Sequence, residues 1–126
     1  MRWLRQNVFL FDGIGAIGST TATLTIALAL QPQFGMPSEV LWGLALLAVG
    51  FIAYSLTCWR RRAPLRPWLP IVMAANLTYC VVLSAALWAH ASVLTRLGLA
   101  YFIGEIVIIV GVVSLEWVVL RMSPPR

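Results

Sequence analysis

The chain has no lysine, only four acidic residues, one histidine and two cysteines. Each shortage removes a class of function. A single histidine, His90, cannot hold a haem between two imidazoles of one chain. With Cys58 and Cys80 at different depths it also makes a poor zinc set. No C-x-x-C pair is present, so a thiol–disulfide relay lacks its usual motif. Both thiols then read as small packing residues. No local signature of a Ser/His/Asp hydrolase is found. No cofactor and no metal are expected, and the expectation leans away from an enzyme without closing that question.

Charge itself is scarce: 10% of residues are charged and 61% are hydrophobic. A soluble domain is about 25% charged and about 45–50% apolar. One soluble core of 126 residues could not hide so much apolar surface. Hydrocarbon is the solvent that accepts it, so the lipid bilayer is the first partner implied. The net charge of +5 comes from nine arginines. They fall between apolar runs, where they orient a membrane protein. Nucleic acid is not an expected partner.

Four spans are predicted, at about residues 8–30, 40–58, 69–88 and 98–120, each near the roughly 20 apolar residues that cross hydrocarbon. The expectation is an all-α, four-transmembrane-helix bundle forming a single membrane domain over residues 1–126. Pro32, Pro37, Pro64, Pro67, Pro124 and Pro125 fall in the proposed connections or tail, and Pro70 in a first helical turn. Trp3, Trp42, Trp59, Trp68, Trp88 and Trp117 all lie near proposed helix ends. Indole has an apolar body and one polar N–H, so it settles at headgroup level. Arg2, Arg5, Arg60, Arg61, Arg62, Arg66, Arg121 and Arg126 share one side of a four-span protein, and only Arg96 faces the other. The positive-inside rule then places both termini in the cytoplasm. The first apolar run resembles a signal peptide at its edges, but Asp12 interrupts it and it is long, so it is read as a retained span.

Ionisable groups inside spans are costly and usually face the bundle interior or water. They are where this sequence hints at a task. Asp12, Gly15, Ala16, Ser19 and Thr23 share one face of span 1. The plain reading is a packing face, with Gly15-x-x-x-Ser19 letting backbones approach and Asp12 paired to an arginine. The functional reading is a proton or cation ligand. Gly13-Ile14-Gly15-Ala16-Ile17-Gly18 also fits G-x-G-x-x-G, but a membrane helix supplies no preceding strand, so the match is chance. Span 3 carries Asn76, Tyr79, Cys80 and Ser84, with His90 past its outer end; interhelical hydrogen bonding is the plain role there.

Span 4 carries Glu105 and Glu116 on one face with Tyr101 and Val112, the two acids roughly 16 Å apart along the axis. Glu116 is expected near the arginine-rich interface, neutralised by Arg121 or the loop arginines. Glu105 sits roughly 10 Å deep, beyond an arginine's reach, with Ser19, Cys80 and Ser84 as expected neighbours. The candidate ligand- or proton-binding residues are therefore Glu105, Asp12, Asn76, Cys80, His90 and Tyr101.

Phe11-Asp12-Gly13-x-Gly15-Ala16, Ala75-Asn76-Leu77-x-Tyr79-Cys80, His90 and Tyr101-Phe102-x-Gly104-Glu105 together resemble a family of small, uncharacterised four-helix bacterial integral membrane proteins. The resemblance spans nearly the whole chain. It implies a bacterial cytoplasmic (inner) membrane protein and carries no activity. Three functions remain in view. The first is an accessory or structural bundle, as a homo-oligomer or beside a membrane-protein partner. The second is a proton-coupled or lipophilic small-molecule binder or transporter using Glu105. The third is a membrane enzyme acting on a lipid or quinone.

Overall fold

The computed structural model describes residues 2–122, without the side chains of Arg2, Leu4, Arg5 and Arg66. Among the described residues every regular element is helical. Helix α1 runs Arg2–Thr25 and continues through a π-helical turn, Ile26–Leu30, into a short helix α2, Gln31–Phe34. Helices α3 (Ser38–Arg60), α4 (Leu65–Ala89) and α5 (Arg96–Met122) follow. Four segments are long and apolar enough to cross a membrane: Gln6–Phe34, Ser38–Arg60, Pro67–Ala89 and Arg96–Met122. Each contains one predicted span. The domain is thus a four-helix bundle of membrane-spanning type.

The first span is longer than predicted because Pro32 does not break it. Pro32 sits in the first turn of α2, where a missing N–H costs nothing. Pro67 likewise falls within α4 rather than in a connection. Pro70 is the sixth residue of α4, not in a first turn as predicted, so the helix carries it as an interior proline.

All six tryptophans are exposed and lie towards helix ends. Large apolar side chains also cover the outer faces: Leu46 is 75% exposed and Ile108 68%. A water-soluble fold would not leave such a surface bare, and a lipid-facing one needs it.

The bundle is two hairpins. Helix α1 packs along α3 and α4 along α5, while contacts between the hairpins are sparse. The interior splits in the same way. At the end carrying the termini, Val8, Phe9, Cys58, Leu69, Val72 and Leu120 form one apolar cluster. Towards the opposite end a second cluster gathers Ile26, Phe34, Met36, Leu41, Leu44, Tyr79, Leu83 and Phe102.

A clasp joins the hairpins at that opposite end. Thr95 donates its hydroxyl to the Gln33 carbonyl at 2.6 Å and its backbone N–H to the Phe34 carbonyl at 3.1 Å. The same hydroxyl accepts from the Gly98 N–H at 3.0 Å, capping α5. Gly98 is required by proximity, since a Cβ there would lie 2.1 Å from the Phe34 carbonyl oxygen. Gly35 is required twice: its φ is +85°, and a Cβ would lie 2.1 Å from the Val93 carbonyl oxygen.

Candidate functional site: a cavity between the hairpins

Two polar layers cross the bundle between the apolar clusters. All four long helices contribute one residue to the first. Ser55 of α3 donates to Asp12 Oδ2 of α1 at 2.5 Å. Asn76 of α4 donates through Nδ2 to Asp12 Oδ1 at 2.8 Å and to Glu116 Oε1 of α5 at 3.2 Å. One amide nitrogen therefore serves two carboxyls. Glu116 is 1% exposed, and its Oε2 has no hydrogen-bond partner.

The second layer centres on Glu105. Ser19 of α1 donates to its Oε1, and Tyr79 of α4 donates to the same oxygen at 3.3 Å. Glu105 is 8% exposed and its Oε2 is unpartnered. A buried polar oxygen without a partner costs free energy on the order of 1–3 kcal/mol.

Between the layers lies a cavity of about 450 Å³. Helices α1 and α5 provide most of its wall, with Ala48 and Phe51 from α3 and Asn76 and Tyr79 from α4. Its rim is exposed, with Phe11 at 45% and Ile108 at 68%, so it opens sideways where α1 and α5 stand apart. Space is left by small residues. A Cβ at Gly15, Gly18 or Gly104 would meet nothing within 4 Å, and all three line the cavity. The lining holds two carboxyls, Asp12 and Glu105, and no arginine or histidine.

No family model, curated protein or solved structure matches this chain.

The geometry therefore carries the reading alone. Four of the six candidates predicted from sequence, Asp12, Asn76, Tyr101 and Glu105, line this one cavity. Cys80 is buried in α4 but outside the lining. His90 sits at the end of α4, where its backbone carbonyl accepts from Val93 and Leu94, away from the cavity.

Several expectations need correction. Asp12 was expected to pair with an arginine, and among the described residues its partners are Ser55 and Asn76. Arg121 does not neutralise Glu116; its guanidinium lies 6.0 Å from the Trp117 ring centroid. Of the neighbours expected for Glu105, Ser19 is present, while Ser84 is exposed on α4. Gly15-x-x-x-Ser19 is not a site of close backbone approach, because open space faces Gly15. Close approach in α1 is at Gly13, where a Cβ would lie 2.7 Å from Leu56 Cδ2.

Tyr79 and Ser55 are not among the six candidates; Tyr79 is read from sequence only as an interhelical hydrogen-bonding residue of span 3, the role it has here. Tyr79 has a signal, since it lies three residues beyond Asn76 and so shares its helix face. Ser55 has none, because the sequence does not distinguish it from a serine bonded to its own helix.

Proposed function

We propose that this chain is a small multi-pass protein of a bacterial cytoplasmic membrane that binds a lipophilic small molecule between its two hairpins, with Glu105 as the anchoring group. The arginine distribution supports placing both termini in the cytoplasm. The observation that carries the binding reading is a cavity of about 450 Å³ whose lining includes the buried acid Glu105. That volume falls in the range of ligand pockets, roughly 300–1,000 Å³, and mostly apolar walls with a few polar groups are their usual composition. Gly15, Gly18 and Gly104 add to the room in that cavity, since a Cβ at any of them would meet nothing within 4 Å.

The test is thermal unfolding of the protein in lipid nanodiscs against a panel of neutral, anionic and cationic lipophilic compounds. A binder at a hundred times its Kd stabilises by about 2.7 kcal/mol. Glu105→Gln is expected to remove that stabilisation while preserving the fold, because the glutamine carbonyl still accepts from Ser19 and Tyr79. Gly104→Leu is expected to remove it by filling the cavity, with the unliganded protein at least as stable, as leucine favours helix over glycine by nearly 1 kcal/mol. If no compound's stabilisation depends on either residue, the reading is wrong.

A further inference from the structure

The turn between α3 and α4 brings Arg60, Arg61, Arg62 and Arg66 together in sequence. Its backbone is fixed. The Ala63 N–H bonds the Cys58 carbonyl at 2.9 Å and the Arg62 N–H bonds the Trp59 carbonyl at 3.2 Å, the paired bonds that close many helices. Ala63 and Leu65 pack against the apolar cluster at this end, and the side chains of Arg60, Arg61 and Arg62 are left exposed. In this pattern the residue just past the helix is usually glycine, because its backbone is left-handed. Here it is Arg62, with a φ of +50°, and among the described residues no other side chain adopts a positive φ. A side chain in that conformation is strained, and strained residues cluster where a task holds them.

The acids of the chain do not offset this charge. Asp12 and Glu116, the two in this half, are buried and bonded to Ser55 and Asn76. Glu105 lies deeper, bonded to Ser19 and Tyr79. Glu39 stands in the first turn of α3, at the opposite end. No described arginine side chain forms an ion pair. Beside the turn, Trp68 is 41% exposed, and the Tyr54 hydroxyl donates to its carbonyl at 3.1 Å. An exposed indole at this depth marks the headgroup layer.

We propose that the α3–α4 turn is a docking surface for the phosphate of an anionic phospholipid, held by Arg60, Arg61 and Arg62. Basic side chains clustered at a helix end in the headgroup layer attract anionic lipid before any soluble ion, because the lipid is already concentrated there. A guanidinium grips a phosphate through two parallel N–H···O bonds, where an ammonium offers only a point charge. Every cationic side chain of this sequence other than His90 is arginine. Orienting a membrane protein needs positive charge of either kind. It therefore accounts neither for the absence of lysine nor for an arginine in a glycine position. These residues do not line the cavity, so the proposal stands apart from the binding reading above.

The experiment is native mass spectrometry of the full-length protein in detergent, titrated with phosphatidylglycerol and with phosphatidylcholine of the same chains. Expected is phosphatidylglycerol binding about tenfold or more tighter. Arg62→Gln should weaken phosphatidylglycerol about fivefold, the share of one interfacial arginine, and leave phosphatidylcholine unchanged. Arg96→Gln removes the same charge from the opposite end and should change neither. Arg62→Gly should lose the same affinity while raising the thermal unfolding midpoint in phosphatidylcholine nanodiscs, because glycine relieves the left-handed backbone. Equal binding of the two lipids overturns the proposal. An equal loss in Arg96→Gln also overturns it, since the preference would then follow net charge and not this turn. Displacement of bound phosphatidylglycerol by an equal concentration of soluble glycerol phosphate overturns it as well, because the surface would then take a free anion.

Discussion

At the scale of single residues, the dominant fact is how few donors serve three buried carboxyls. Asn76 is the only described side chain that bonds to two of them. Asn76→Leu keeps the volume and removes the amide, leaving Asp12 with Ser55 and Glu116 with no donor. Hydrogen bonds in membrane bundles average well under 1 kcal/mol when one pair is lost, but a stranded buried acceptor costs about 1–3 kcal/mol. The expected loss for Asn76→Leu is therefore roughly 2 kcal/mol, read by thermal unfolding in nanodiscs. An unchanged midpoint would show that the polar layer is not holding the helices together. The acids and Asn76 were legible in the sequence because a charge or amide in an apolar run stands out. Ser55 was not, because a helical hydroxyl usually returns to the carbonyl one turn back, as Thr21, Thr57 and Thr78 do here. Which hydroxyl instead crosses to a neighbour depends on a partner that the local sequence does not contain.

At the scale of elements, the predicted spans hold and their connections do not. Apolar length fixes where hydrocarbon lies, so each of the four runs contains its span. The prolines were a weaker guide, since Pro32 and Pro67 sit inside helix beginnings and Pro70 inside a helix. The clasp between the Phe34 and Thr95 regions was invisible, because it joins residues about sixty positions apart through backbone atoms and one threonine hydroxyl. Its glycines give a sharp prediction. Gly98→Ala drives a methyl group into the Phe34 carbonyl, and backbone cannot yield as a flexible side chain does. A loss of about 1–3 kcal/mol is expected. Gly18→Ala, facing open space, should cost nothing and gain a few tenths to about 1 kcal/mol from helix propensity. Comparing the two unfolding midpoints separates a packing role from a conformational one. Small residues read from sequence alone suit either close contact or open space, which is why Gly15 was misassigned and Gly13 overlooked.

At the scale of the whole molecule, the arginine asymmetry makes a claim about orientation that labelling can check. With both termini inside, a cysteine at Arg61→Cys should be protected from an impermeant thiol reagent in intact cells, and one at Arg96→Cys should react. The reverse pattern would invert the proposed topology. The native thiols do not confuse the result, because Cys58 and Cys80 are buried. The sideways gap between α1 and α5, rimmed by Phe11 and Ile108, has a consequence of its own. A hollow of this size bordering a bilayer is refilled by acyl chains, which are far more concentrated than any solute. Whatever binds there displaces lipid rather than water. Its effective concentration is then its mole fraction in the membrane, and affinities measured against aqueous concentration will change with the amount and chain length of the lipid supplied.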